Sequence, residues 1–150
     1  MLLNEIDLFE GISFEVMNEI ADIFVEEIYD KGVTIFNQGE RAENLYILKG
    51  GTLNLMVKNG GSLVFSLSAP GEVFGWSSLF ESGRYTASGI CGTELKVMKI
   101  ERKKLYKIFK HHPEVGFIVI RRVAGVIAKR LKNVTQNHPP RHQISETVEK

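Results

Sequence analysis

The stretch LYILKGGTLNLMVKNGGSLVFSL, residues 45–67, decides the fold of this chain. Short runs rich in Leu, Ile, Val and Phe alternate in it with two glycine-rich breaks, KGG at 49–51 and KNGG at 58–61. Because Asn and Gly adopt positive φ angles at little cost, KNGG between two alternating runs predicts a β-hairpin. The stretch therefore indicates antiparallel β-structure at the centre of the chain.

Short apolar runs separated by turn residues continue on both sides of this hairpin. The predicted strands are VEEIY, VTIF, LYIL, TLNLMV, SLVFSL, EVF, TASGI and LKVMKI. They are bounded by glycine-containing turns, as is typical of half-buried strands. Turns that recur about every eight to twelve residues favour a compact antiparallel sandwich or barrel.

Helical periodicity flanks the β-region at both ends. On the N-terminal side, Ser13 is the predicted cap of a helix. The apolar residues that recur in it at helical spacing are Phe14, Met17, Ile20, Ala21 and Phe24. On the C-terminal side, ERKKLYKIFKHH predicts a short helix that ends before Pro113. Its inward-facing residues are Leu105, Ile108 and Phe109.

A longer helix is predicted from Pro113 to about Thr135, and it is apolar on two faces. One face is a 3-4 spaced seam: Phe117, Ile120, Ala124, Ile127, Leu131 and Val134. The other is a row of valines: Val115, Val119, Val123 and Val126. Two apolar faces need two covering surfaces, so the β-domain would cover one and a second copy of the helix the other. The alternative is one wide stripe buried within a single monomer.

Bulk composition limits the classes of function. The 150 residues include 19 basic and 18 acidic ones, so the chain has no broad field for nucleic acid or an anionic membrane. The acidic N-terminus is unlike a signal peptide, and no apolar run is long enough to cross a bilayer, so a cytoplasmic protein is expected. No residue pattern resembles a nucleophile–base pair or a paired-carboxylate site, and no enzyme is predicted.

The cysteine and histidine residues of this chain do not form a metal-binding pattern. The single cysteine, Cys91, excludes an internal disulfide and is interpreted as a small buried strand residue. His111 and His112 adjoin a predicted helix end, where histidines are usually solvated or capping. No cysteine or carboxylate spacing accompanies them, so no metal site is expected.

Several motifs, taken together, carry a family resemblance over residues 8–131. They are LFEGIS, KGVTIFNQGE, LYILKGGTLNLMV, PGEVFGWSSLF and AKRL. With them the chain resembles the cyclic nucleotide-binding domain family, and specifically the sensor half of CRP/FNR-type regulators without their DNA-binding domain. The resemblance implies an α+β fold: an antiparallel β-roll, a jelly-roll-like double sheet, with an N-terminal helix and two C-terminal helices. The last helix would be a dimerisation helix.

The resemblance also implies domain boundaries and a ligand site. Residues 1–135 would form the domain and 136–150 a polar tail. A phosphate-binding cassette, a tight turn and a short helix, would span residues 75–87. The site residues carried over to this chain are Gly75, Trp76, Ser77, Ser78, Arg84, Tyr85, Thr86 and Ala87. Glycine lets the backbone approach an anion, and serines in the first helical turn add hydroxyl donors.

The cassette departs from the family pattern at two positions. Trp76 stands where family members that bind cAMP or cGMP place a glutamate, and Tyr85 stands where they place an arginine. Without both charged contacts, an ordinary cyclic-nucleotide site should weaken by about two to four orders of magnitude. Arg84 precedes by one residue the position where the family places its arginine. On a strand, a shift of one residue points the side chain away from the pocket, unless the turn after Gly83 compensates for the shift.

Further contacts are implied near the end of the long helix. Family members often place hydroxyl residues there that reach the base of the nucleotide. In this chain the corresponding positions are Val134 and Thr135, of which only Thr135 carries a hydroxyl.

Two functions remain open at this point. The first is a sensor that binds a cyclic nucleotide or another small anion, forms a homodimer through the long helix and signals to a downstream protein. The second is a constitutive dimeric interaction module whose pocket is filled by Trp76. A regulatory fragment of a longer protein is a third reading. Direct DNA binding and membrane association are not expected.

Overall fold

The computed structural model describes residues 6–58, 62–81 and 83–137. Three α-helices flank a β-region: α1 (Phe14–Ile23), α2 (Arg102–His111) and α3 (Pro113–Asn137). A 3₁₀ turn (Asp7–Phe9) precedes α1, and a second 3₁₀ helix (Trp76–Leu79), called the cassette helix below, lies between two strands. The prediction of one N-terminal and two C-terminal helices is confirmed, and α3 ends two residues beyond Thr135.

In the described part of the chain, eight antiparallel strands form two four-stranded sheets, which confirms the β-roll. The strands are β1 (Phe24–Tyr29), β2 (Thr34–Phe36), β3 (Asn44–Gly50), β4 (Leu53–Lys58), β5 (Ser62–Leu67), β6 (Val73–Phe74), β7 (Ser88–Cys91) and β8 (Leu95–Glu101). Their order is β1-β8-β3-β6 in the first sheet and β2-β7-β4-β5 in the second. The predicted hairpin pairs Leu53 with Leu67 and Lys58 with Ser62. Its turn, at 59–61, lies outside the described residues.

The first sheet is the middle layer of the molecule. In β3, Leu45 and Ile47 face the helices, whereas Tyr46 and Leu48 face the second sheet. All four residues are buried, because a strand covered on both faces needs apolar side chains at every position. The continuous run LYIL is thus explained by the helix–sheet–sheet layering.

The two apolar faces of α3 have different environments. Val115, Val119 and Val123 are buried in the core that the helices share with the first sheet. On the other face, Phe117 and Leu131 each remain 66% exposed. Within one copy of the chain, three of the four valines are therefore covered, and Val126 is half-buried.

The apolar row expected for α1 is partly wrong. Phe14 is 81% exposed and Ala21 is exposed, while Val16, Met17 and Ile20 form the buried face. Both rows satisfy helical spacing, and contact with the sheet and α2 selects the second. The helix also ends before Phe24, whose extended backbone begins β1. Ser13 is the N-cap as predicted, and its Oγ accepts a hydrogen bond of 3.4 Å from the amide of Val16.

A single arginine attaches the N-terminal segment to α3. The Nη1 atom of Arg122 donates to the backbone carbonyls of Asp7, Leu8 and Glu10 at 3.1, 3.2 and 2.6 Å. Leu8 and Phe9, in the 3₁₀ turn beneath this contact, are almost fully buried. The guanidinium thus closes the start of the chain over the helical core.

The remaining predictions about the fold concern Cys91, the end of α2, membrane-spanning helices and the C-terminal tail. Cys91 is buried in β7, and burial raises the pKa of its thiol. α2 ends at His111, directly before His112 and Pro113, and it buries Leu105 and Ile108. No helix in the described part of the chain has the length and apolarity required to cross a bilayer. Residues 138–150, most of the predicted tail, lie outside the described residues.

Candidate functional site

A cavity of about 280 Å³ lies between the second sheet, the cassette helix and α3. Its lining residues are Phe36, Leu55, Val57, Phe65, Phe74, Gly75, Trp76, Ser77, Tyr85, Thr86, Ala87, Ile127, Arg130 and Leu131. The β-roll therefore supplies the floor, the cassette one wall and the long helix the opposite wall. Most of the lining side chains are aromatic or aliphatic.

Gly75 makes the turn that brings the cassette helix to the cavity. Its backbone is left-handed, with φ 76° and ψ 24°, a conformation that favours glycine. A Cβ atom built on it would lie 3.0 Å from Cδ2 of Tyr46 and 3.1 Å from the carbonyl oxygen of Asn44. Both the backbone angle and the tight packing explain why glycine occupies this position.

The two cassette serines have different surroundings. Ser78 is fully buried, and its hydroxyl donates to the carbonyl of Gly75 at 2.9 Å. That bond holds the turn, and Ser78 does not line the cavity. Ser77 is also buried but does line the cavity. Of the two predicted hydroxyl contacts, the structure brings only Ser77 to the site.

Tyr85 forms an aromatic wall at the place where the resemblance implies an arginine in cyclic-nucleotide binders. Its ring stacks on Phe36 with centroids 4.0 Å apart. Its hydroxyl donates to the carbonyl of Asn44 at 2.9 Å and accepts from the Asn44 amide at 3.2 Å. Burial raises the pKa of Tyr85, and the bond to the Asn44 backbone opposes that shift. The phenol thus presents a neutral ring to the cavity while its polar end binds the start of β3.

Arg84 lies apart from the other predicted site residues. It is exposed, and its Nη1 atom donates to the carbonyl of Gly39 at 2.9 Å. Thr86 and Ala87, which follow Tyr85, do line the cavity. Tyr85 thus faces the cavity and Arg84 faces away from it, as a shift of one residue along a strand implies.

Arg130 of α3 places a positive charge at the cavity, a feature that the sequence interpretation missed. Its Cζ atom lies 4.5 Å from the ring centroid of Trp76, within the range of a cation–π contact. Its Nη2 atom donates to the carbonyl of Val73 at 2.5 Å. Arg130 therefore joins the long helix to both ends of the turn that carries Gly75.

One nitrogen of this guanidinium, Nη1, is shielded from solvent and has no hydrogen-bond partner among the described residues. Burial lowers the pKa of Arg130, and the charge of Glu72 opposes that shift. An arginine remains protonated in proteins, so the site carries a desolvated cation with an unused donor. An anion is the chemical group that such a donor binds best.

The remaining predicted residues fall into two groups. Val134 and Thr135 lie on α3, but their side chains are outside the described part of the structure. Seam residues Ile127 and Leu131 line the cavity in addition to their place on α3. No cluster of three or more potential metal ligands occurs within residues 6–58, 62–81 and 83–137.

The chain is similar to known proteins over most of its length. Residues 26–112 match the model of the cyclic nucleotide-binding domain family. The cyclic AMP receptor protein of Thermus thermophilus is 27% identical over 127 residues, which are 83% of this chain and 57% of that protein. Human cyclic nucleotide-gated channel beta-3 is 24% identical over 147 residues, 96% of this chain and 18% of the channel.

A solved structure matches at full domain length. A putative cyclic nucleotide-binding protein from Geobacter metallireducens is 27% identical, with a TM-score of 0.76. The match covers 87% of this chain and 99% of the Geobacter chain. By contrast, the chain spans less than two thirds of the length of the two curated relatives.

Proposed function

Because the chain belongs to the cyclic nucleotide-binding domain family, we propose that it is a ligand-sensing module whose cavity beside Trp76 binds a small organic anion. The observation that carries the proposal is Arg130, a half-buried cation at the wall of the cavity whose Nη1 has no hydrogen-bond partner among the described residues. The cost of leaving that donor unpaired is offset when an anion binds.

Arg130 couples ligand binding to the position of α3, because it contacts both the cavity and the cassette. Arg130 contacts the cassette through Trp76 and the carbonyl of Val73, and it lies on the same helix as the exposed seam. An anion that recruits Nη1 competes with these contacts and changes how α3 sits against the cassette. A ligand shifts a conformational equilibrium only by its differential affinity, and Arg130 supplies that difference.

The output surface in this proposal is the seam of α3. Phe117 and Leu131 are each 66% exposed, although apolar side chains of this size gain about 1.5–3 kcal/mol when they are buried. A second copy of α3 covers them in a two-fold dimer. A downstream protein then responds to the angle between the paired helices.

Fluorescence of Trp76, the only tryptophan, tests the sensor function. The panel is cAMP, cGMP, 5′-AMP and a set of aromatic and aliphatic carboxylates, with excitation at the red edge of the indole band. We expect a saturable change for at least one compound below about 10 μM, roughly −7 kcal/mol of binding free energy. The absence of saturation up to millimolar concentration for every compound would favour the interaction module.

A matched pair of variants shows whether a response comes from the cavity. Val57 lines the cavity from β4, and Val25 is 49% exposed on β1. Val57→Phe puts a phenyl ring into the ligand space and should abolish saturation, whereas Val25→Phe should leave it unchanged. A response that survives Val57→Phe would show that the compound binds elsewhere.

A further inference from the structure

The lining of the cavity identifies a class of ligand, an inference that rests on the sensing function proposed above. We infer that the site takes an aromatic carboxylate in preference to a cyclic nucleotide: the ring lies among the apolar residues of the β-roll and the carboxylate meets Nη1 of Arg130. The inference combines three properties of the cavity: its apolar floor, the absence of carboxylates among its described lining residues and the guanidinium of Arg130.

The floor suits a planar hydrophobic body. Phe36, Phe74 and Tyr85 form a connected set of rings, with Phe36 stacked on Tyr85 and tilted against Phe74 at 6.2 Å. Leu55 and Val57 extend this surface along β4. An apolar cavity of about 150 Å³ accepts one benzene molecule, so about 280 Å³ has room for two fused rings.

Among the described cassette residues that carry a hydroxyl, Ser77 and Thr86 line the cavity, whereas Ser78 and Tyr85 are bonded within the protein and leave a ribose few partners. The hydroxyl of Tyr85 is bonded to Asn44, and the hydroxyl of Ser78 is bonded to Gly75. No aspartate or glutamate lies among the described residues that line the cavity. Sugar hydroxyls that enter this site lose their bonds to water and gain few in return, which weakens binding.

The charged group suits a small anion. Nη2 of Arg130 donates to the carbonyl of Val73, whereas Nη1 has no hydrogen-bond partner among the described residues. A carboxylate oxygen accepts a charge-assisted hydrogen bond from such an N–H group in the plane of the guanidinium. A cyclic phosphate needs donors on several sides, and Arg84, the cassette arginine, bonds to Gly39 outside the cavity.

Calorimetric titration of the full chain with four probes tests this inference: 2-naphthoate, neutral 2-naphthamide, cAMP and inorganic phosphate. We expect 2-naphthoate to bind at least about tenfold more tightly than 2-naphthamide, the difference that one charge-assisted hydrogen bond provides. We also expect it to bind more tightly than cAMP. Equal affinities for the carboxylate and the amide, or tighter binding of cAMP, would overturn the inference.

Two variants test whether Arg130 is the residue that recognises the carboxylate. Arg130→Gln should remove the preference for naphthoate over naphthamide, while binding of naphthamide itself shows that the cavity is intact. Lys129→Gln makes the same change of charge at the adjacent exposed residue and should keep the preference. A preference that survives Arg130→Gln would also overturn the inference. If cAMP alone binds, the ligand class is wrong and the sensing function stands. If no probe or panel compound binds, both fail.

Discussion

Phe117→Glu should dissociate the proposed α3 dimer into monomers. The phenylalanine is 66% exposed on the seam of α3, and a two-fold pair buries it once in each copy. A buried aromatic at the centre of an interface contributes about 2 kcal/mol, so two copies correspond to roughly 4 kcal/mol, or about a thousandfold in the dimer dissociation constant. Sedimentation velocity across a concentration series measures the change.

The control for this prediction is the other exposed phenylalanine. Phe14 is 81% exposed on α1, away from the seam, and Phe14→Glu makes the identical substitution. It should leave the dimer dissociation constant unchanged. If the wild-type chain is monomeric at all concentrations, or if both variants dissociate equally, α3 is not the dimer interface.

Arg122→Met should lower the free energy of unfolding by about 2–3 kcal/mol. The methionine keeps an apolar stem but removes the donor that serves the carbonyls of Asp7, Leu8 and Glu10. A hydrogen bond to a charged group contributes about 1.5–3 kcal/mol, and the three carbonyls share one nitrogen rather than adding fully. Urea denaturation followed by circular dichroism gives the difference.

Arg121→Met is the control for Arg122→Met. It lies one residue earlier on α3 and is exposed, so Arg121→Met removes the same charge without a comparable contact. Its free energy of unfolding should stay within about 0.5 kcal/mol of the wild type, as expected for a surface substitution. A loss for Arg122→Met no larger than that for Arg121→Met would mean that the carbonyl contacts do not stabilise the fold.

The β-roll was predictable because its turns are marked by glycine. Each predicted run corresponds to a strand, since alternation and turn residues are local properties of the sequence. The face of α1 was less predictable, because Phe14 and Val16 both begin rows of helical spacing. Only the surface that packs against the helix, which is set by residues distant in sequence, selects the row of Val16.

The candidate site was predictable in its backbone and less so in its chemistry. Gly75, Trp76 and Tyr85 lie at the cavity as expected, because the turn is local. The sequence interpretation did not distinguish Arg130 from the other basic residues of α3, since a basic residue on a helix is usually solvated. Its spacing of three from Ile127 placed it on the same face of α3, which was the available signal. That this face meets the cassette depends on tertiary packing.

In the proposed function, α3 responds to the occupant of the cavity through Arg130. Hydrogen exchange of residues 124–137 measures this response, with 2-naphthoate or the tightest-binding compound of the Trp76 panel at saturation. We expect the ligand to change the exchange rates in the wild-type chain and Arg130→Gln to remove most of that change. Unaltered exchange in α3, at a concentration that saturates the Trp76 signal, would contradict it.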